Sequence, residues 1–175
     1  YPVYNDNAED RAKSWAQALL FGKTATEEAQ KWVESGFKSL SAKETAAYQG
    51  MTEGGTDQRE SYAFVTAMKK VDDRNAKLAM LYAYDIPQNA KTAYYYSVMA
   101  SDEEQAKMDA LEADGVGYDD YMQYKQTYFK QFGTQTVSQE RIQTVLDGLN
   151  LTKAQKAALW AAMGTSWKEE NNPYK

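Results

Sequence analysis

The chain contains no cysteine and no histidine. Without cysteine there is no disulfide framework, no thiolate nucleophile and no cysteine-ligated metal, which fits a reducing compartment. Without histidine the commonest general base and the commonest transition-metal ligand are missing, as is the side chain that titrates near neutrality. Serine triads, zinc hydrolysis and two-histidine iron sites are therefore excluded within these 175 residues. Long apolar runs are also missing. Nothing approaches the roughly 20 consecutive residues a bilayer-spanning helix needs, and the mean hydropathy is −0.75. Excess positive charge is lacking too, the formal net charge being −5. That balance argues against sequence-independent nucleic-acid binding, which depends on Lys and Arg neutralising phosphate, and against an anionic membrane surface. Finally, no stretch alternates β-branched residues as a strand does.

What is present is a dense set of helix signals, so the chain reads as all-α: one compact domain over residues 1–175, an array of about eight to ten short helices including αα-hairpins, with no sheet. A first helix is expected over residues 8–21, burying Ala8, Ala12, Trp15, Ala16 and Leu19 and stopped by Gly22. A second starts near Thr24 or Thr26 and buries Ala29, Trp32, Val33 and Phe37. Ser41 and Glu44 have capping-box spacing and open a third that ends near Met51, before a turn at Gly54-Gly55. A fourth, residues 57–70, turns Phe64, Val65, Met68 and Val71 inward. Residues 76–84 are apolar on nearly every side and are expected to form the central, most enclosed helix. Asp85-Ile86-Pro87 ends it and starts a helix carrying Tyr94-Tyr95-Tyr96, of which at least one belongs at a boundary. Ser101 with Glu104 caps the next, to about Glu112, and Gly115 and Gly117 break the chain. A helix over residues 118–132 follows. The last two form an αα-hairpin through Gly148-Leu149-Asn150-Leu151-Thr152, with Ile142, Val145, Leu146 and Leu149 facing Ala158, Leu159, Ala162 and Met163. Residues 165–175, with Trp167 and Tyr174, are read as a tail that docks back or hangs loose.

One pattern occurs three times at helix starts: Leu40-Ser41-Ala42-Lys43-Glu44-Thr45-Ala46-Ala47-Tyr48, Ile86-Pro87-Gln88-Asn89-Ala90-Lys91-Thr92-Ala93-Tyr94 and Leu151-Thr152-Lys153-Ala154-Gln155-Lys156-Ala157-Ala158-Leu159. An apolar residue precedes a cap or Pro, and a large apolar side chain follows eight positions on, on the same face. The spacing is unequal, unlike the near-fixed period of a solenoid. The similarity therefore reads first as shared helix-start chemistry, and second as duplicated hairpins.

Few constellations carry chemistry. Residues 101–120 hold eight carboxylates, among them Asp102, Glu104, Asp114 and Asp120, against the single Lys107. A calcium loop with Gly115 in sixth place would begin at Ala110 and end at Tyr121, neither of which supplies a carboxylate, so no metal site is assigned. A solvated acidic face is the plainer reading, as it is for the small basic patch Lys69, Lys70, Arg74 and Lys77. Paired carboxylates can hydrolyse glycosides without histidine, but none stands in an apolar setting that would raise its pKa. No catalytic residue and no cofactor is assigned. Tyr121, Tyr124, Tyr128 and Phe132 are spaced by three, four and four on one helix face, as core or a protein interface requires. With Trp167 they are the candidate interface residues. The 14 tyrosines favour an interaction protein.

Two stretches, Ala18-Leu19-Leu20-Phe21-Gly22-Lys23 through Gly36-Phe37-Lys38-Ser39-Leu40-Ser41, and Leu146-Asp147-Gly148-Leu149-Asn150-Leu151-Thr152-Lys153-Ala154-Gln155-Lys156, resemble helical segments of the large polyvalent or virion-associated proteins of phages and prophages of Gram-positive bacteria. The resemblance implies a non-catalytic helical module beside other domains, located in the bacterial cytoplasm or the virion. The first residue, Tyr1 rather than Met, agrees with a piece of a longer polypeptide. The expected function is thus a structural or protein-interaction module that engages a protein partner or a second copy of itself. A lysozyme-like, carboxylate-dependent cell-wall hydrolase is the alternative.

Overall fold

The structure is a computed structural model that describes residues 40–164 and 166–175. The two helices expected at residues 8–21 and from Thr24 or Thr26 lie outside the described residues. Among the described residues there are eight α-helices and no strand, as an all-α array requires. They are α1 (Ala42–Glu53), α2 (Gln58–Met68), α3 (Arg74–Ala83), α4 (Gln88–Tyr94), α5 (Asp102–Ala113), α6 (Tyr118–Phe132), α7 (Gln139–Asp147) and α8 (Lys153–Met163). The last turn of α4 widens into a π-helix, Tyr95–Met99, and a 3-10 turn, Glu169–Asn171, follows α8. The chain divides between Met99 and Ala100 into two compact units.

In the first unit Ser41 and Glu44 close the expected capping box. The Glu44 N–H donates to Ser41 Oγ at 3.1 Å and the Ser41 N–H to Glu44 Oε1 at 2.8 Å. Helix α1 stops at a glycine in the left-handed region, Gly55 at φ 102°, and the Thr56 N–H reaches back to the Met51 carbonyl at 3.0 Å. Asp57 then caps α2 through the N–H groups of Arg59 and Glu60. Helix α1 packs most closely on α4, and the two run antiparallel. Gly50 faces Ala93 so closely that an added Cβ would lie 3.2 Å from that of Ala93, while Asn89 Nδ2 donates to the Gly54 carbonyl at 2.6 Å. Met51, Tyr62, Phe64, Val65, Met68, Leu81, Tyr94 and Tyr95 fill the interior.

The expectation that residues 76–84 form the most enclosed helix is overturned. In α3 only Leu81 is buried, and Tyr84, just beyond its end, is 43% exposed. Much of the segment's apolar count is Ala76, Ala79 and Ala83, all exposed. Alanine has little surface to hide, so average hydropathy overstated the drive to bury this helix. The tyrosine run meets its constraint: Tyr94 and Tyr95 are buried and Tyr96 is half-buried.

The second unit repeats this grammar. Ser101 stands 60 residues after Ser41, and each caps a helix of 12 residues. Gly115, at φ 91°, stands where Gly55 does. The Val116 N–H bonds the Leu111 carbonyl at 2.9 Å just as Thr56 bonds Met51. Met51 and Leu111, Tyr62 and Met122, Phe64 and Tyr124 are buried in equivalent places. Helix α6 is longer than α2, 15 residues against 11. Beyond it the offset becomes 65: Ile86 and Leu151, Tyr94 and Leu159, Tyr95 and Trp160 correspond, the last two pairs buried. Among the described residues each unit therefore holds the same series of four helices. The unequal spacing of the sequence pattern arose because its first copy opens α1 while the other two open α4 and α8.

Helices α7 and α8 form the expected hairpin. Thr152 and Gln155 make a reciprocal capping box at its second helix, and Ile142, Val145, Leu146, Leu159 and Trp160 are buried. Residues 166–175 lie docked along this hairpin, as the geometry below shows.

Candidate functional site

The five residues singled out as an interface divide into two groups. Helix α6 carries four of them because its tyrosines recur at helical spacing, but Tyr121, Tyr124 and Tyr128 face the core of the second unit at 2%, 2% and 8% exposure. They are not available to a partner while the unit is folded. Phe132, at the end of the helix, and Trp167 are half-buried. Tyr124, Tyr128 and Phe132 form a ring series with centroids 6.2 and 5.3 Å apart. Burial, and next the neighbouring Tyr128, pushes the Tyr124 phenol far above its usual range. Tyr128 donates to the carbonyls of Gln135 and Thr136 at 2.8 and 3.1 Å, tying down the loop between α6 and α7.

Tyr121 turns toward α5 instead, donating to Glu104 Oε2 at 2.6 Å. Lys125 approaches the same oxygen at 3.5 Å. Glu104 is the residue that corresponds to Glu44, yet its carboxylate is engaged across the hairpin by Tyr121 and Lys125. Its side chain is 16% exposed, and a phenol and an ammonium both suit a carboxylate acceptor. Some other carboxylates hold structure as well. Asp73 and Asp120 cap helices, Asp109 accepts from the Tyr118 hydroxyl at 2.9 Å, and Gly115 ends a helix where a calcium loop would have placed a ligand turn. Among the described residues no group of three or more acidic side chains is placed to hold a metal ion, and no helix is long and apolar enough to cross a membrane.

Trp167 belongs to a different surface. Its ring lies 5.0 Å, centroid to centroid, from that of Trp160 in α8, directly over Gly164, where any Cβ would collide with the indole. Further along, Asn172 is buried and its Nδ2 donates to the Ala157 carbonyl at 3.0 Å. Tyr174 donates to Asp147 Oδ1 at 2.6 Å and approaches the Gln143 carbonyl at 3.4 Å. Burial first, and the Asp147 carboxylate second, drives the Tyr174 phenol well upward. This strap crosses both helices of the hairpin. Sequence reasoning marked Trp167 but missed Trp160, Asn172 and Asp147. The signal that could have found Trp160 is its place directly after the third copy of the pattern, as Tyr95 stands directly after the second.

Among the described residues these contacts hold helices, the loop between α6 and α7 and residues 166–175 together. No known protein family, no curated protein and no solved structure matches this chain.

Proposed function

We propose that the chain is a non-catalytic helical module that works by protein–protein association, as part of a larger phage or mobile-element protein. The observation that carries the reading is the repetition of one four-helix series among the described residues of the two units. Tandem helical repeats present extended surfaces whose inner residues keep the scaffold while outer ones vary. The divergence between units partly follows that division: Met51 and Leu111, Tyr62 and Met122, and Phe64 and Tyr124 stay apolar or aromatic, although buried Ala47 and Val65 give way to Lys107 and Lys125, and exposed positions change, as from Lys43 to Glu103. The phage context rests on the resemblance of the two quoted stretches.

The deciding experiment is catalytic. Excess cell-wall glycan incubated with the purified chain is expected to release no reducing ends above the level without protein. Release that disappears in Glu104→Gln would replace the module by a hydrolase. For the association itself, a photo-reactive side chain at Tyr84, an exposed aromatic among the described residues of the first unit, is expected to cross-link a protein in cells that produce the parent polypeptide.

A further inference from the structure

Two of the chain's 10 glycines follow an aspartate: Gly115 after Asp114 and Gly148 after Asp147. The pairing has a chemistry of its own. A glycine nitrogen, unhindered because its residue has no Cβ, can attack the side-chain carboxyl carbon of the aspartate before it. A cyclic imide closes and one water leaves, made of a carboxyl oxygen, the acid proton and the amide proton. Water then returns to either carbonyl of the ring. Addition at the side-chain carbonyl restores aspartate. Addition at the main-chain carbonyl leaves isoaspartate, in which the chain runs through the Cβ methylene and the free carboxylate sits on Cα. That water is the only co-reactant.

The structure separates the two sites. Asp114 stands just beyond the helix, as the C-cap of α5 at φ −87°, ψ 6°, and is exposed. Among the described residues its carboxylate has no hydrogen bond or ion pair. Gly115 follows at φ 91°, with open space where a Cβ would be. Asp147, by contrast, is the last residue of α7 and its carboxylate is held, the Tyr174 hydroxyl donating to Oδ1 at 2.6 Å. That charge-assisted bond has to break before the carboxyl can turn toward the Gly148 nitrogen. In the first unit Gly54 stands where Asp114 does, so the equivalent stop carries no carboxyl. Ring closure also needs Asp114 to swing away from its present ψ, releasing the Gly115 N–H from the Glu112 carbonyl at 3.1 Å. Opening a helix end in this way costs far less than global unfolding.

We propose that Asp114-Gly115 is a self-modification site, isomerising to isoaspartate while the Tyr174 hydrogen bond holds Asp147 back, and that the change loosens the second unit at the end of α5. The stop is built for an ordinary main chain: the Val116 N–H bonds the Leu111 carbonyl at 2.9 Å, and Gln155 Nε2 donates to the Gly115 carbonyl at 3.0 Å. An extra methylene between Leu111 and Val116, both buried, breaks that register. The modification needs no partner and is independent of the association reading above.

The full chain, incubated for weeks at neutral pH and body temperature, is digested with trypsin, which releases residues 108–125 and 142–153 as separate fragments. Fragment 108–125 is expected to gain an isoaspartyl form, resolved by chromatography and labelled by an isoaspartyl methyltransferase with S-adenosylmethionine, about tenfold faster than fragment 142–153. Asp114→Glu keeps the charge but would need a larger ring, and should abolish the gain with the helices intact. Tyr174→Phe should speed conversion of fragment 142–153 severalfold. Amide hydrogen exchange at Val116 should quicken in the isomerised chain. Equal rates for the two fragments of the wild-type chain overturn the assignment to Asp114. So does an unmodified fragment 108–125 under conditions in which a synthetic peptide of the same residues converts. If Tyr174→Phe leaves fragment 142–153 as slow as before, the protection by Tyr174 is wrong, and isomerisation with Val116 exchange unchanged overturns the loosening.

Discussion

Raising the pH should unfold this protein through its own tyrosines. Tyr48, Tyr94 and Tyr124 are buried, and burial raises all three phenols above their ordinary range, Tyr94 to about 12. Neighbouring negative charge adds to the rise: Asp57 and then Tyr62 for Tyr48, Glu44 for Tyr94. A phenol in an unfolded chain loses its proton near pH 10. Between that value and the raised native one, the unfolded state binds fewer protons than the native state, so stability falls as pH rises. The stabilisation is complete below pH 10 and is lost as pH climbs through the native values. Each buried phenol contributes about 1.4 kcal/mol per pH unit in that window. Three together lose about 4 kcal/mol by pH 11, and more than half of a typical domain's 5–15 kcal/mol is gone near pH 12. Helical circular dichroism and tyrosinate absorbance, followed together, test this. The expected result is intact helicity through about pH 10, then a cooperative step between about pH 11 and 12 in which buried phenols ionise as helicity collapses. Tyr94→Phe should make the fall shallower by roughly a third. Complete ionisation of all phenols below pH 10.5 with the helices unchanged would refute the burial argument.

Gly55→Ala and Gly115→Ala should each lower stability by about 1 kcal/mol or more, because both glycines hold φ values that a Cβ disfavours; equal losses in denaturant titrations would fit their equivalence, and calcium should not restore either. Tyr124→Ala should cost about 3–5 kcal/mol as a large-to-small core change, whereas half-buried Phe132→Ala should cost clearly less in the same thermal melts. Ser101→Ala should lose about 1 kcal/mol of cap energy. Glu104→Gln should leave the cap intact and be seen instead as a changed chemical shift at Tyr121, whose hydroxyl donates to it. Gly164→Ala should displace Trp167 from Trp160 and alter the near-ultraviolet dichroism of that pair.

Much of the fold was legible because helix punctuation is local. Ser41-Glu44, Ser101, Thr152 and Gly115 perform the roles expected of them, since a cap or a left-handed stop depends only on residues within one turn. Helix ends differed by a residue or two, as fraying turns do. The enclosure of residues 76–84 was misread because alanine counts as apolar without demanding burial. The candidate site was legible only in part. The periodicity of Tyr121, Tyr124 and Tyr128 specified a shared face, but a face toward the core and a face toward a partner have the same period. Nothing local marked Asn172 or Asp147, whose partners lie 15 and 27 residues away.

By itself the sequence determined the fold class, the excluded chemistries and the start and stop of most described helices, because composition and capping act over a few residues. Only the tertiary structure decided that the helices form one series used twice, since the repeats share caps, stops and buried positions rather than residue identities. It also decided that the α6 tyrosines are core, and that residues 166–175 dock along the α7–α8 hairpin. Those outcomes depend on which surfaces meet across long sequence separations, and that is settled by packing rather than by any local preference.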